Sequence, residues 1–582
     1  MYSTSQFCGT AVVLALVAYL LYHKLLPKPI PGIPYNKGAT KTLLGDIPSI
    51  IKAVTKDRTT HKWMLSQIQN HDSPITQIFP RPLSKPWVVL ADFRETEDIC
   101  MRRTREFDRA PLWVDIFAGA LPEGHVHFPT NEKWKAHRRL LQDLMLPAFL
   151  NGVAGPAIYT NAEDFVRLWN RKADLANGRP FDVEKDMFHT ALDAVMTFTF
   201  GKDFFHSAVR PQLNALKDLS GNTHQGFEED APVKFPEVTI SKELQSILTI
   251  TDAGEGQAAS PVPRLTWKFR ERFDRTLRSA LNTRKEFFLQ EIARAVDRLT
   301  ANSENKTSVR SAIDLMIQRE LIAAEKEGRK PDIFSKTMLD EIFVLIVGGH
   351  DTTSTTLLWG IKLLADKPAV QSLLRTAIQD AHCTAFDERR NPTFKEIVSH
   401  TNIPYLDAVI EEIIRCSGTV NSIQRVATVD TEVLGHRIPK GTQINMLGRG
   451  PSMCQPAFRL DENLRSSSSK KAAVGGHVRS WDEDTDMAAF IPERWLRLSE
   501  NGEGPMVFDP LSGPLLTFGL GTRGCYGRKL AYVEMRLLVT LIVWNFKLLP
   551  CPKHLSGYDG VEGVTYKPQQ AYARLRRVWG KE

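Results

Sequence analysis

The chain has 582 residues, 42% of them hydrophobic and 24% charged, so it has the apolar material for a large core and lacks the polarity that keeps a chain disordered. Its 75 basic and 67 acidic side chains leave a net charge of +8 without a long basic run, which does not point to nucleic acid and suits an anionic membrane surface or an acidic protein partner. Seven widely spaced cysteines with no C-x-x-C pair argue against a disulfide framework or a zinc site and for a reducing compartment.

In chain order, Phe7 to Leu26 is an apolar run with no Asp, Glu, Lys or Arg before Lys24, and about twenty residues is the length a bilayer requires. A cleaved signal peptide competes because the core of the run is short, but no positive residue precedes it and no small-residue cleavage site follows. Lys24 and Lys28 lie beyond the run, which by the positive-inside rule leaves the body in the cytosol. The expectation is a single-pass anchor over residues 1–26 in the endoplasmic reticulum membrane. Glycan at the sequon Asn305-Lys306-Thr307 would place the body in the lumen instead. Pro27, Pro29, Pro31, Gly32 and Pro34 make residues 27–40 a stiff extended linker, and the body runs over 41–582.

PWVVLADFRETEDICMRR reads as a short strand followed by a helix, opening a small β-region. Asp108 to Thr130 reads as loop. The stretch NEKWKAHRRLLQDLMLPAF predicts a helix from Asn131 to about Leu146, capped by Asn131 and stopped by Pro147. On it Trp134 and Arg138 stand four apart on one face, with Arg139 as a second cation beside them. From Thr160 to Thr300 the pattern is mostly helical, broken near Phe227 to Val238 and at Asp252 to Pro263. The second break, DAGEGQAASPVP, reads as a flexible surface loop.

Lys336 to Asp366 predicts a long, largely apolar helix at the centre of the core. Its middle breaks the rules: Gly348 and Gly349 each cost about 1 kcal/mol relative to Ala, and Asp351, Thr352 and Thr353 compete with the helical ladder through their own side chains. The five together predict a local distortion; His350 among them is not assigned as a ligand. Asn402 to Gly418 is another helix, with Glu412 and Arg415 on one side. RVATVDTEVLGHRIPKGTQINM, beginning at Arg425, reads as a hairpin with turn signals at Pro439 and Gly441. Residues 451–487 are of low complexity and read as a flexible surface insertion, after which FIPERW supplies Arg494.

The most informative stretch is TFGLGTRGCYGRKLA, Thr517 to Ala531. Gly519, Gly521, Gly524 and Gly527 allow positive φ and close approach to a ligand around Cys525. From Arg528 the residues are helix formers, so Cys525 sits just ahead of a helix, where backbone N–H groups and the dipole favour a thiolate. Such a thiolate can serve as an axial ligand of haem iron. A lone cysteine is ordinarily a small buried apolar residue. Here, however, Phe518, Gly521, Arg523, Cys525 and Gly527 fit F-x-x-G-x-R-x-C-x-G, for which a chance match has an expectation on the order of 10⁻⁴.

That loop is similar to the haem-ligand loop of the cytochrome P450 family, and from about Pro27 to its end the chain resembles that family, motif after motif in the family's order. The resemblance implies the cytochrome P450 fold, mainly α with a smaller β-region, preceded by one transmembrane helix. It implies heme b with iron axially ligated by the Cys525 thiolate. Trp134 and Arg138 match W-x-x-x-R, whose residues hold a haem propionate; Arg425 and Arg523 are further propionate contacts, and Phe518, Gly521 and Gly527 shape the loop. Gly348 to Thr353 match [A/G]-G-x-[D/E]-T-[T/S]. Reducing dioxygen requires two protons in a site that otherwise excludes water, and by resemblance Thr352 is the alcohol and Asp351 the carboxylate that deliver them. Glu412 and Arg415 match E-x-x-R and with Arg494 imply a buried, structural charge network. In relatives the loop equivalent to 108–130 covers the substrate, which makes Trp113, Ile116 and Phe117 candidates.

The implied activity is a monooxygenase that inserts one atom of O2 into a lipophilic small molecule. Electrons would come from NADPH through a separate NADPH–cytochrome P450 reductase, with cytochrome b5 as a second donor, because the chain has no nucleotide-binding glycine fingerprint and no room for a flavin domain. A haem-thiolate isomerase or peroxygenase, and a membrane-anchored haem sensor without turnover, are the alternatives. The PERW motif and the long insertion resemble fungal secondary-metabolite enzymes, and the insertion itself departs from the family's pattern.

Overall fold

The structure, a computed structural model, describes residues 4–219, 230–258, 260, 262–301, 309–399, 402–499 and 504–579. The sequon at Asn305 lies outside them, as does the start of the break at Phe227. The chain divides into two compact units: Met1–Ala110 with Asn421–Met487 and Leu520–Arg523, and Pro111–Val420 with Ala488–Gly519 and Gly524–Glu582.

The first unit carries the sheet. Its strands run in the order Ile75–Ile78, Trp87–Leu90, Gln443–Leu447, Ser422–Ala427, Phe107–Arg109. Trp87–Leu90 and Gln443–Leu447 are parallel and the other neighbours antiparallel. Within the hairpin predicted from Arg425, a smaller one, Thr431–Val433 with His436–Ile438, turns at Leu434 and Gly435, both at positive φ. A helix over Thr4–Leu25 leads the unit, with Val13, Leu14, Leu16 and Val17 exposed; among the described residues no helix is long and apolar enough to cross a membrane. The proline linker is not a free spacer. Ile30 and Ile33 are buried, and the Gln77 side chain accepts from the Ile30 N–H at 2.7 Å and donates to the Ile30 and Ile33 carbonyls at 2.8 Å each, fastening the linker to the first strand.

The insertion also departs from expectation. Instead of a flexible segment it contains a helix, Ser467–Val474, capped by Ser466, and it lies along the Phe93–Met101 helix through buried ion pairs. Ser, Lys and Gly made it look loose; Arg465 and Arg479 hold it.

The second unit is built around the Lys336–Ala365 helix, capped by the Ser335 side chain accepting from the Met338 N–H. Met338, Ile342, Phe343 and Ile346 pack with Leu192, Val195, Met196 and Phe198 of the Glu184–Phe200 helix in the apolar core, where each fully buried large side chain contributes about 1.5–3 kcal/mol. The expected distortion is not there. The helix is continuous, because its two glycines answer two different needs: a Cβ on Gly349 would lie 2.5 Å from Val195, whereas one on Gly348 meets nothing within 4 Å.

Three boundaries also move. Within the predicted loop 108–130 the chain forms a helix over Pro111–Phe117 and a 3-10 turn over His125–His127. The helix capped by Asn131 stops at Leu141, and Pro147 begins a new helix instead of ending the old one, as its fixed φ permits. The loop predicted from Asp252 is helical to Ala258, within Lys242–Ala258: Leu244, Ile247, Ile250 and Ala253 are all buried on one face, and that burial outweighs the propensity cost of Gly254 and Gly256.

Candidate active site

Cys525 follows the 3-10 turn Gly521–Arg523 and precedes the Arg528–Asn545 helix. Its N–H donates to the Phe518 carbonyl at 2.7 Å, which closes the loop. Gly521 has φ of +69°, and a Cβ there would lie 2.2 Å from the Cys100 carbonyl oxygen, so both the conformation and the approach demand glycine. The Gly527 and Arg528 N–H groups point at the sulfur. The thiol is solvent-accessible on one side but crowded elsewhere, and burial pushes it up despite those N–H groups and the nearby Arg138 and Arg528 cations. The helix-end N–H groups act in the expected direction, toward the thiolate, but burial outweighs them.

On the Glu132–Leu141 helix, Asn131 accepts from the Trp134 N–H at 3.0 Å, fixing the first turn. The Arg138 guanidinium lies 5.5 Å from the Trp134 ring centroid and 4.2 Å from that of Tyr526, the residue after Cys525. Arg139 is exposed, so Arg138 is the inward cation. Burial pushes its pKa down, countered in part by Tyr526, Cys525 and Glu341. Next to it, His137 Nδ1 is 2.7 Å from Glu341 of the central helix, and His125 Nδ1 is 2.6 Å from the same carboxylate. The His125 N–H also donates to it, at 2.7 Å. Burial alone would raise the Glu341 carboxyl, yet the two imidazoles hold it below its ordinary value. Sequence reasoning missed this bridge; its signal was a glutamate standing inside the apolar run LDEIFVLIV.

In the first unit Arg425 is the strand partner of Arg109. Burial, and then the charges of Arg523 and Arg425, push Arg109 well below its ordinary value, with Asp108 a partial counterweight. Three guanidiniums brought together this way attract an anion of carboxylate type. Arg109 was not identified from the sequence.

On the central helix the Thr352 hydroxyl donates to the Gly348 carbonyl at 2.8 Å, a back-bond that stands where a bulge was expected. Asp351 is buried; it accepts from the Thr565 hydroxyl at 2.9 Å and lies 3.1 Å from Lys567 Nζ, which reaches Glu255 at 2.7 Å. Burial would lower Lys567, but the two carboxylates outweigh it and hold the ammonium above its ordinary value. Burial, and then Asp351, push Glu255 up. The series Asp351, Lys567, Glu255 therefore leads from a buried carboxylate to a partly exposed one. His350 is buried, its Nδ1 lies 2.8 Å from the Ile346 carbonyl, and burial pushes its pKa down, toward the neutral imidazole. Among the described residues no cluster of His, Cys, Asp and Glu could hold a metal ion. Glu534, on the helix after Cys525, is buried, hydrogen-bonded to Thr353, and pushed up by burial to about 8.

Glu412 binds Arg415 at 2.7 and 2.6 Å and Arg494 at 3.1 Å, and accepts from the Trp495 indole N–H at 2.9 Å and the Ile491 N–H at 2.8 Å. All three charged side chains are buried. Trp495 is the member that sequence reasoning overlooked. Of the candidate substrate contacts, Trp113 and Phe117 stack at 5.6 Å on one face of their short helix, and Ile116 is buried.

Residues 46–450 and 486–569 match the family model described as Cytochrome P450. The chain is 41% identical over 583 residues to "Cytochrome P450 monooxygenase TRI13" of Fusarium sporotrichioides, covering 97% of this chain and 98% of that protein. It is 37% identical over 578 residues to "Cytochrome P450 monooxygenase GME11363" of Pestalotiopsis microspora, covering 98% of each. To "Cytochrome P450 monooxygenase xilC" of Penicillium rubens it is 35% identical over 573 residues, 98% of this chain and 95% of that one.

Proposed function

Because the chain belongs to the cytochrome P450 family and is a haem-thiolate monooxygenase of it, we propose that it oxidises a lipophilic small molecule with O2, using electrons from NADPH. The residues present fit heme b. Cys525 would ligate the iron, its sulfur already faced by the Gly527 and Arg528 N–H groups. Arg138, held between Trp134 and Tyr526, would take a propionate. When bound, the iron supplies the centre at which dioxygen is activated and one of its atoms passes to substrate.

The chain's own part is to admit and deliver protons. With its proton on the Gly348 carbonyl, Thr352 Oγ1 offers lone pairs to an incoming water. Asp351 takes up protons through Lys567 and Glu255, the route on which the ion pairs at 3.1 and 2.7 Å lie. Glu412, Arg415 and Arg494 have a structural role, since the buried Glu412 carboxylate bridges both guanidiniums.

The single observation that carries this reading is the Cys525 loop, a cysteine aimed at by two helix N-terminal N–H groups beside a cation stacked on the next residue. Reduced, carbon-monoxide-treated protein is expected to absorb maximally at about 450 nm, the position the family resemblance implies for sulfur-ligated iron; absence of that band would overturn the reading. Reconstitution with NADPH–cytochrome P450 reductase and cytochrome b5 then separates a monooxygenase from an isomerase or peroxygenase, which needs no reductase electrons, and from a haem sensor without turnover.

Membrane attachment, with the body on the cytosolic face of the endoplasmic reticulum, is part of the proposal. It is supported by the exposed apolar side chains Val13, Leu14, Leu16, Val17, Leu20 and Leu21 of the leading helix and by the Pro263–Phe273 helix. There Leu265, Phe269 and Phe273 are exposed at helical spacing, among Arg264, Lys268 and Arg272. A role in secondary-metabolite biosynthesis is part of the proposal, on the resemblance of the PERW motif and the insertion to fungal enzymes of that kind.

A further inference from the structure

The Phe93–Met101 helix is more acidic than a buried helix tolerates by itself. Asp92 at its cap, Glu95, Glu97 and Asp98 are each no more than 6% exposed. A buried carboxylate without a partner is strongly destabilising. Arg103 answers Glu95, at 3.1 Å. Asp92 and Glu97 take their closest cations from the insertion, and Asp98 shares Arg102 with two insertion hydroxyls. Arg465 grips Asp92 through two bonds, at 3.0 and 2.9 Å, in the geometry that suits guanidinium and carboxylate. Arg479 binds Glu97 while its guanidinium lies 5.2 Å from the Phe93 ring centroid. The Ser466 and Ser468 hydroxyls donate to one Asp98 oxygen at 2.6 and 2.8 Å, and Arg102 takes the other. In return, Arg94 of the helix donates to Glu462 at 2.6 and 2.9 Å.

These contacts run along the helix from its cap into its second turn, and the helix ends against the cysteine loop. The Cys100 carbonyl is the group a Cβ on Gly521 would strike at 2.2 Å, so the backbone of the turn leading toward Cys525 rests directly on the helix end. Residues 451–485 fall in the gap between the two segments that match the family model, so the grip on the helix belongs to this chain's departure from that model.

We propose that the insertion is an ionic clamp: Arg465 and Arg479, with Ser466 and Ser468, fix the Phe93–Met101 helix and thereby position the Gly521–Arg523 turn from which Cys525 follows. Arg465 and Arg479 are positioning residues; neither touches the reacting atoms. The functional weight of the clamp rests on the reading of Cys525 as the iron ligand.

The test is backbone hydrogen exchange on the full-length protein. In the double variant Arg465→Gln/Arg479→Gln, exchange is expected to rise about tenfold or more both in 93–101 and in 519–524, with the Pro404–Ser417 helix unchanged. A rise confined to 451–487, or none, overturns the clamp. Should the double variant exchange faster everywhere, or fail to fold, Ser466→Ala/Ser468→Ala keeps both cations and decides the matter: faster exchange at 519–524 supports the clamp, and a rise that stops short of those residues overturns it. The carbon-monoxide band of the reduced wild-type protein is recorded alongside. Its absence overturns the ligand reading and leaves the exchange result to judge the clamp; where it is present, the double variant is expected to lose it faster than wild type on warming.

Discussion

Lys567 Nζ lies 3.1 Å from the Asp351 carboxylate, an ion pair joining the centre of the longest described helix to the strand Tyr566–Pro568 near the end of the chain. Lys567→Met removes that cation and leaves Asp351, itself buried, with the Thr565 hydroxyl. Proton delivery by a positioned carboxylate contributes on the order of 10²–10⁴ in rate. Asp351→Asn is therefore expected to lower product formation at least 10²-fold, with Lys567→Met intermediate and the carbon-monoxide band intact in both. Thr352→Ala is expected to keep consuming NADPH while product falls. The ratio of product to NADPH checks all three.

The neighbouring arginines on the Glu132–Leu141 helix make a matched pair. Arg138 is stacked between Trp134 and Tyr526, whereas Arg139 is exposed. Arg138→Ala is expected to yield protein that purifies with substoichiometric haem, and Arg139→Ala to stay within about 0.5 kcal/mol of wild type in stability and load fully. Haem content per chain by absorbance distinguishes them.

Removing Arg415 takes two short bonds from the buried Glu412 carboxylate and leaves it the longer contact with Arg494 and the Trp495 indole N–H. Breaking one member of a buried set costs about 3–5 kcal/mol. Arg415→Ala is expected to lower the urea midpoint by that equivalent, and Arg415→Lys by less, because an ammonium keeps the charge although it cannot reproduce two parallel bonds. Equilibrium unfolding followed by tryptophan fluorescence measures both.

Glu534 ties stability to pH. Burial raises its carboxyl from 4.5 to about 8, so the folded chain holds a proton that the unfolded chain releases over that window. The stability it contributes is complete below about 4.5 and is lost as pH rises through about 8. Glu534→Gln is expected to match wild type near pH 4 and to exceed it by a few kcal/mol above pH 8. Glu411, raised by burial to about 7, and Glu95, raised likewise to about 7, preserve a residual slope in the variant. Unfolding midpoints across that range give the difference curve.

The two adjacent glycines of the central helix predict opposite signs. Gly349→Ala drives a methyl to within 2.5 Å of Val195 and is expected to destabilise by about 1–3 kcal/mol. Gly348→Ala meets no neighbour and is expected to stabilise the helix by about 1 kcal/mol. Thermal midpoints of the two variants settle the comparison.

Legibility followed sequence distance. Trp134 with Arg138, Glu412 with Arg415, and the five matched residues of the Cys525 loop each fall within a single turn or loop, so short family motifs could be matched to them, and the resemblance supplied their roles. Lys567 meets Asp351, His125 and His137 meet Glu341, and Arg109 meets Arg425 only after folding, and no local pattern carries such pairings. The insertion failed for a related reason. Its small polar residues signal a loose loop, while its partners, the acids of DFRETED, lie more than 300 positions earlier in the chain. The break expected at Asp252 came from weighing Gly254 and Gly256 above the buried stripe that runs through them. In the central helix, a back-bond from Thr352 stood in for the deformation that the glycines and hydroxyls suggested.

Gln77 sews the proline segment to the edge of the sheet at three points. A slack tether would let the body swing and roll about its attachment, absorbing any tug in loose chain. Stitched down at Ile30 and Ile33, the segment hands a pull from the leading helix to the strand Ile75–Ile78 instead of absorbing it in loose chain.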